Sequence, residues 1–256
     1  MNGCGTCKTA DIQNPYSLTG DNSSVSSQFF ARNLCVTDDI NFGTDQVHAD
    51  YAGGAGVFDL TTKEVLYSQN LFEKLYPAST TKILTCIVAM EQCKPDEVVT
   101  FSAKAASQPK VHLGAKKGEQ FYMQDLWYGL MLESYNDCAY AIAEHVAGSA
   151  EKFAALMNEK AKKIGCTDSH FVTPNGLDAK DEQGEHHTTA YDLCRIMSYC
   201  AWKSPVSKQF LEVTQTRSHT FQSLEGTGYA VSNKNALLDI CLLYTSDAAD
   251  DGESVD

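Results

Sequence analysis

Hydrophobic positions become regular only after about residue 50 of this 256-residue chain. Residues 1–47 are polar and weakly periodic, with a cluster of serines, which is typical of a linker or an irregular lead-in. Short apolar or alternating runs at 53–59 and 65–68, joined by a polar stretch, then predict a β-hairpin. We therefore place the start of the folded domain at residue 48.

Helical spacing of apolar residues dominates the middle of the chain. One run opens at Ser79 and ends before Pro95. Segments 124–133 and 137–147 predict two further helices with a short break between them.

Two later helices carry their own boundary signals. In residues 149–164, Ser149 can cap the start of a helix and Gly165 can stop it. Thr189 and Asp192 form a capping box that opens another helix. The inward face of that helix is predicted to carry Leu193, Ile196, Met197 and Cys200.

The last patterned region, residues 210–235, is predicted to form strands with a turn at Glu225–Gly228. A hairpin first, helices in the middle and strands last is the order of an α+β domain. Residues 241–256 continue none of these patterns and resemble the translation of a sequencing adapter, so we predict a foreign tail. The predicted organisation is a lead-in over 1–47, one domain over 48–240 and that tail.

Composition favours one globular domain and argues against two kinds of partner. Hydrophobic residues make up 43% of the chain, enough for a buried core. Lys and Arg number 20 against 33 Asp and Glu, a formal charge of −13. That balance argues against nucleic acid or an anionic membrane as the main partner. No apolar run reaches the length of a bilayer span.

The ten cysteines do not form a framework. A zinc or redox role for the C-x-x-C of Cys4 and Cys7 would need a second pair of matching spacing, which the chain lacks. Cys86, Cys194 and Cys200 fall where a helix points an apolar residue inward, so we expect small buried hydrophobic side chains there.

The candidate chemistry begins with a Ser-x-x-Lys tetrapeptide. On the first turn of a helix, residues three apart are neighbours, so the hydroxyl and the amine share one face. Burial and the positive end of the helix both disfavour the ammonium, which lets a neutral lysine accept the serine proton. The tetrapeptide occurs three times, beginning at Ser79, Ser107 and Ser149.

The surroundings distinguish the three copies. Pro109 lies inside the second copy and disfavours a helical geometry there. Ser149 has a sufficient structural role as a helix cap, and Lys152 falls on the solvent side of its helix. Because only Ser79 follows a Pro-Ala turn and leads into a mostly apolar helix, we predict Ser79 and Lys82 as nucleophile and base.

A second polar element, Ser134-Tyr135-Asn136, lies between two predicted helices. A polar turn with apolar flanks either faces a cleft or carries buried hydroxyl and amide groups. An ordinary helix–helix connection is the alternative, and the turn by itself favours it.

Together these segments resemble the penicillin-recognising serine acyl-enzymes, which share S-x-x-K, S-x-N and K-T-G motifs. More narrowly, the chain resembles the D-alanyl-D-alanine carboxypeptidases, the low-molecular-mass penicillin-binding proteins, over about residues 49–240. The resemblance implies a β-lactamase/DD-peptidase-like fold, with a helical cluster packed on an antiparallel sheet. The matching blocks follow the family's order and are Tyr76–Thr85, Glu133–Ala139, Phe153–Gly165, Phe171–Asp178 and His187–Leu193.

The resemblance also implies a mechanism. Ser79 would attack the carbonyl between the terminal D-alanines of a peptidoglycan stem peptide, with Lys82 as the base. Ser134, with Lys82, would pass the proton to the leaving D-alanine, and Asn136 would hold the peptide amide of the substrate. No metal or organic cofactor is implied, and β-lactam antibiotics would acylate the same serine.

A peptidoglycan substrate implies an extracytoplasmic protein, in the cell envelope or secreted. The chain shows no signal-peptide pattern, so we expect a signal, and any membrane-anchoring segment, to have been lost from its ends. The segment Met1–Cys4 is a candidate remnant of a lipoprotein cleavage site.

The chain departs from the family in two ways. Tyr135 replaces a small residue and is expected to narrow access to the cleft. The K-T-G motif is missing: Gly226–Gly228 precedes Ser232–Leu238, whereas the family has the opposite order, so we interpret it as a hairpin turn. We expect the K-T-G strand, and with it the full sheet, just beyond Ile240. Losing one oxyanion donor would lower the rate roughly 10²–10³-fold, so we expect a poor enzyme. A sheet without that strand would expose unpaired edge groups and apolar surface, so we also expect marginal stability and aggregation.

Two other classes share part of this pattern. A β-lactamase has the first two motifs but needs an efficient deacylating base, and we find no well-placed glutamate in a matching loop. A non-catalytic cell-wall-binding or sporulation-type paralogue would keep the fold alone. His186 and His187 invite a zinc or triad-base interpretation, but their position in a loop before a capped helix favours a structural role.

Overall fold

A computed structural model of the chain describes residues 49–60, 64–236 and 238. The predicted lead-in, the Cys4–Cys7 pair and the predicted tail lie outside these residues. The α-helices are α1 (Thr81–Gln92), α2 (Ala103–Ala106), α3 (Met123–Leu132), α4 (Asn136–Ala147), α5 (Ala150–Ile164), α6 (Ala190–Ser198) and α7 (Ser207–Gln215), and a π-helical segment (Tyr199–Lys203) directly follows α6. The strands are β1 (Ala55–Asp59), β2 (Glu64–Gln69), β3 (Val98–Thr100), β4 (Gln120–Tyr122), β5 (Lys180–Asp181), β6 (Gly184–Glu185), β7 (Ser218–Gln222) and β8 (Gly228–Ser232).

The described strands pair antiparallel and two by two: β1 with β2, β3 with β4, β5 with β6 and β7 with β8. The first pair is the predicted hairpin, with a shift of register between Val57 and Phe58. The last pair aligns Ser218 with Ser232 across a turn in which Gly226 has a φ of +89°. Both predicted hairpins are therefore confirmed, and so is the α+β class.

The core lies between the helices, with α1 at its centre. Cys86, Ile87 and Ala89 of α1 are fully buried, and α1 packs against α3, α4 and α5. Trp127 of α3 and Phe153 of α5 are buried in the same cluster. The helix that begins beside Ser79 is therefore supported from several sides.

Local capping signals are confirmed where they were predicted. The Ser149 hydroxyl accepts a hydrogen bond from the Lys152 backbone N–H at 3.2 Å, and Gly165 ends α5 in the left-handed conformation. Thr189 accepts from the Asp192 backbone N–H at 3.0 Å at the start of α6. These bonds satisfy backbone groups that a helix end leaves unpaired.

Residues 210–215 are helical, which corrects the strand predicted there. Helix α7 buries Phe210 and Val213, three residues apart, against α3. Apolar residues three apart lie on one face of a helix. With only two such residues among polar neighbours, the segment is too short for this spacing to be recognised in the sequence.

The inward face of α6 also differs from the prediction. Met197 is 38% exposed, whereas Ile196 and Cys200 are buried as expected. The interior side also holds the buried Arg195, whose guanidinium donates to the Ile164 carbonyl. Because this arginine turns inward, Met197 is rotated toward solvent. Cys86 is buried as predicted, and Cys194 is half-buried.

Candidate active site

Ser79 lies on a 3-10 turn, Ala78–Thr80, that leads directly into α1. The Ser79 residue is exposed, whereas Lys82, one turn later, is only 2% exposed. The Thr80 hydroxyl donates to the Pro77 carbonyl at 2.6 Å and fixes the turn. The serine is thus an exposed group on a rigid, buried support.

Gly176 packs closely against this turn from the opposite side. Gly176 has a φ of +84°, and a Cβ atom there would lie 1.8 Å from the Ala78 carbonyl oxygen. Ala78 itself adopts a left-handed φ of +47°, a conformation that costs free energy for an alanine. The loop at Gly176 and the turn before Ser79 therefore fit together only without a side chain at 176.

The Lys82 amine lies at the centre of the site. Its Nζ atom is 2.9 Å from Ser79 Oγ, 2.9 Å from Asn136 Oδ1 and 2.8 Å from the Asn175 carbonyl oxygen. As an ammonium, Lys82 satisfies all three of its N–H groups with these acceptors.

The same geometry suits a neutral lysine. A carbonyl and an amide oxygen can only accept, so a neutral amine would donate its two hydrogens to Asn175 and Asn136. Its lone pair then faces Ser79 Oγ, which can donate its proton to it. Burial lowers the pKa of Lys82 to about 8, and the positive charge of Lys234 acts in the same direction.

The amide of Asn136 is oriented by the chain segment opposite. Asn136 Nδ2 donates to the Pro109 carbonyl at 3.1 Å, which leaves Oδ1 to face Lys82. Asn136 N also donates to the Val111 carbonyl at 2.8 Å, and Asn175 Nδ2 donates to Gln108 Oε1 at 2.9 Å. The rejected second Ser-x-x-Lys copy therefore borders the site through its backbone and Gln108.

Asp137 holds the continuation of this segment. Its buried carboxylate accepts hydrogen bonds from the backbone N–H groups of Leu113 and Gly114, each at 2.9 Å, and from that of Cys138. The loop that faces Asn136 is therefore fixed to the first turn of α4.

Ser134 lies on the turn between α3 and α4, two residues before Asn136, with a left-handed φ of +64°. The Lys82 amine uses its three donors on other groups, so Ser134 is not among its hydrogen-bond partners. The structure thus joins Ser79, Lys82 and Asn136 directly and places Ser134 on the adjoining turn. The catalytic roles of all four residues stay predictions.

Tyr135 and Cys138, the two departures from the family's S-x-N segment, share one neighbour. A Cβ atom at Gly129 of α3 would approach Tyr135 Cδ2 and Cys138 Sγ to 3.2 Å each. The larger side chains at 135 and 138 therefore pack where α3 has no side chain.

Sequence reasoning did not assign site positions to Asn175 or His186. The buried His186 ring lies with Nε2 2.9 Å from Thr81 Oγ1, and Nδ1 accepts from the Val172 backbone N–H at 2.9 Å. Nε2 therefore carries the ring proton and donates a hydrogen bond to the hydroxyl of Thr81, the residue before Lys82. Burial lowers the pKa of His186 to about 4. The Pro174–Gly176 turn motif was the available signal for Asn175, because such a turn brings backbone close to its surroundings.

The family model described as D-alanyl-D-alanine carboxypeptidase, peptidase family S11, matches residues 43–246. The chain belongs to this family. Among curated proteins it is 31% identical over 228 residues to D-alanyl-D-alanine carboxypeptidase DacD of Salmonella typhimurium, covering 84% of this chain and 55% of that protein. It is 36% identical over 150 residues to DacF of Bacillus subtilis, covering 57% of this chain and 38% of that protein. The chain thus spans about half the length, or less, of these relatives.

The fold is shared with solved structures of the same family. The crystal structure of the D-alanyl-D-alanine carboxypeptidase from Mycobacterium tuberculosis superposes with a TM-score of 0.65 at 31% identity, covering 73% of this chain and 68% of that one. The predicted family and its DD-peptidase-like fold are therefore confirmed. The domain boundaries at 48 and 240 stay predictions. Within the described residues, no helix is both long enough and apolar enough to cross a bilayer.

Proposed function

We propose that this chain carries the catalytic centre of a serine-type D-alanyl-D-alanine carboxypeptidase that removes the terminal D-alanine from peptidoglycan stem peptides. One observation carries the proposal: Ser79 Oγ lies 2.9 Å from the buried amine of Lys82, whose other two partners are acceptors only. This arrangement suits proton transfer from the serine at the moment of attack.

The acylation step follows from that contact. Ser79 Oγ forms a bond to the penultimate D-alanine carbonyl carbon while its proton passes to Lys82 Nζ. Collapse of the tetrahedral intermediate breaks the C–N bond, and the leaving nitrogen takes a proton from Lys82 by way of Ser134. Water then forms a bond to the ester carbon while one of its protons passes to Lys82 Nζ. The bond from that carbon to Ser79 Oγ breaks, Oγ takes the proton from Lys82, and the shortened peptide leaves with a new carboxyl group. The backbone N–H of Ser79 supplies one oxyanion donor.

Asn136 retains capacity for the substrate. Its amide has two N–H groups and two acceptor sites, of which the Pro109 carbonyl and Lys82 use one each. The remaining N–H and lone pair are available to a peptide amide. Asn136 is thus proposed to orient the substrate and the lysine together.

The proposed partners follow from the same chemistry. The substrate is a peptidoglycan stem peptide ending in D-Ala-D-Ala, and β-lactam antibiotics acylate Ser79 as inhibitors. Since that substrate lies outside the cytoplasmic membrane, we place the protein's action in the cell envelope or outside the cell.

Acylation of Ser79 tests the proposal. The purified chain is incubated for an extended period with excess penicillin, and its intact mass and peptide map are measured. We expect a single adduct on Ser79, none in Ser79→Ala, and an unchanged adduct in Ser107→Ala, which alters the neighbouring Ser-x-x-Lys copy. A folded wild-type chain without an adduct, or an adduct that persists in Ser79→Ala, would contradict the proposal. Comparing D-alanine release with penicillin hydrolysis separates a carboxypeptidase from a β-lactamase.

A further inference from the structure

Three side chains with metal-binding atoms converge away from the candidate active site. The thiol of Cys93, a carboxylate oxygen of Glu97 and an imidazole nitrogen of His145 all lie within 4.8 Å of one another. Cys93 is a free thiol and is partly exposed, so an ion can reach the cluster from solvent. One sulfur, one oxygen and one nitrogen donor make a mixed set that suits a borderline-soft metal ion.

The cluster lies where two helices end. Cys93 is the C-cap of α1, and His145 lies in the last turn of α4. Because the C-terminal end of a helix carries a partial negative charge, both ends favour a cation between them. The same two helices begin at the candidate active site, with Lys82 on α1 and Asn136 on α4.

The carboxylate between them is held in position. Glu97 Oε1 accepts the Lys94 backbone N–H at 2.7 Å, and Glu97 Oε2 lies 2.9 Å from His145 Nε2. The Glu97 carbonyl accepts from the Met123 backbone N–H at 2.8 Å, which fixes this residue to α3. The two bonds to the backbone can persist when a metal binds, and bonds of this kind orient a ligand before the metal arrives.

We propose that Cys93, Glu97 and His145 bind one Zn²⁺ ion, with water in the fourth position. Zinc–ligand distances of roughly 2.0–2.3 Å in a tetrahedral site separate ligand atoms by about 3.3–3.7 Å, so small side-chain rotations bring all three donors to the ion. The ion takes the place of the proton shared by His145 and Glu97 and of the thiol proton. It joins the C-terminal ends of α1 and α4. The N-terminal ends of the same two helices carry Lys82 and Asn136.

The competing interpretation is an ordinary ion pair between His145 and Glu97, in which Cys93 takes no part. Such a partly exposed pair contributes little to stability. The two interpretations differ in whether the thiol ligates a metal, which a spectroscopic probe detects directly.

Cobalt substitution provides that probe. The reduced, metal-free chain is used in a Cys4→Ser/Cys7→Ser background, because that C-x-x-C pair could itself bind metal. Adding Co²⁺ should give one ion per chain and a thiolate-to-cobalt charge-transfer band that Zn²⁺ abolishes by competition and Mg²⁺ does not. Cys93→Ser should remove the band, and His145→Gln and Glu97→Gln should each weaken Zn²⁺ affinity at least about tenfold.

Matched controls decide between the interpretations. Cys194→Ser removes another partly buried thiol, and His219→Gln removes another histidine paired with a carboxylate; both should leave the band and the affinity unchanged. Circular dichroism verifies that each variant is folded, and Glu97→Gln tests the site without altering the thiol. A band that persists in Cys93→Ser overturns the proposal. So does metal binding that disappears in the Cys4→Ser/Cys7→Ser background, or zinc affinity equal in all ligand variants.

Discussion

At the scale of single residues, the site depends on what surrounds one amine. The serine and lysine could be predicted from sequence, because a spacing of three on a helix turn makes them neighbours. The carbonyls of Asn175 and Pro109 could not, since backbone acceptors leave no side-chain signature and their approach depends on tertiary structure. The sequence therefore predicts which side chains are neighbours, and the fold determines how the amine and amide are held.

The pH dependence of acylation follows from the environment of Lys82. Only the neutral amine can take the serine proton, and burial lowers the Lys82 pKa to about 8. We expect the rate of Ser79 adduct formation to rise about tenfold per pH unit below 8 and to level off above it. Intact-mass kinetics from about pH 6 to about pH 9.5, on either side of the Lys82 pKa, measure this profile. Lys234→Gln removes a nearby positive charge and should move the profile to higher pH; a flat wild-type profile would count against Lys82 as the base.

Replacing Gly176 by alanine should displace the turn that carries Ser79 without altering Ser79 itself. The added Cβ would meet the Ala78 carbonyl oxygen at 1.8 Å, and alanine also disfavours a φ of +84°. We expect acylation to slow at least about tenfold and stability to fall by more than about 1 kcal/mol. Gly118→Ala is the control, because its φ is +87° but no atom lies within 4 Å of its Cβ. Equal slowing in both variants would show that the contact with Ala78 is unimportant.

At the scale of elements, capped helices and the two hairpins were predictable because their signals are local. Ser149, Thr189 and Gly226 each act within a few residues of their own position. The strand predicted over 210–215 was wrong because a short segment with two buried positions does not distinguish a helix from a strand until its neighbours are known. Elements marked by caps were thus more reliable than those marked by hydrophobicity alone.

The segment before α6 should make stability depend on pH through His186. The folded protein keeps this histidine neutral with a pKa of about 4, below its ordinary 6.5. The unfolded chain therefore binds a proton first as the pH falls, and stability decreases by about 1.4 kcal/mol per pH unit between 6.5 and 4. Above pH 6.5 this contribution is fully present.

Denaturation with urea at about pH 7.5, 6 and 5, above and within that window, checks this prediction. His186→Gln can still donate an N–H to Thr81 but cannot titrate, so its stability should change less with pH than that of the wild type. Carboxylates elsewhere act equally on both proteins, and the difference between the two slopes isolates His186. Identical slopes would contradict the buried, neutral histidine.

At the scale of the whole molecule, the burial of thiols reports on the integrity of the core. Cys86, Cys138, Cys166 and Cys200 are buried, whereas Cys93 and Cys194 are partly exposed, and burial raises the pKa of each of the six. Alkylation of the four buried thiols requires the core to open, while the other two need only local motion. We expect the four to react together, at the rate of global opening, and more slowly than Cys93 and Cys194. Timed alkylation with peptide mapping measures each rate, and early reaction of Cys86 or Cys200 would contradict the packed core.

The order of elements along the chain follows from local patterns, and so the α+β class could be predicted. What brings Ser79, Asn136 and Asn175 to one amine is the joint packing of α1, α4 and a loop almost a hundred residues away from Lys82. No short stretch of sequence encodes this arrangement of distant residues. It results from the burial of α1 among the helices that pack against it.

Because distant segments converge on Lys82, the state of its amine reports whether those segments have packed together. A molecule in which α4 has not docked, or in which the Asn175 loop is displaced, would keep its serine but leave the lysine hydrated and charged. On the proposed mechanism, such a molecule would react much more slowly with penicillin. The fraction of a preparation that accepts the label therefore counts the molecules in which all three segments have assembled correctly.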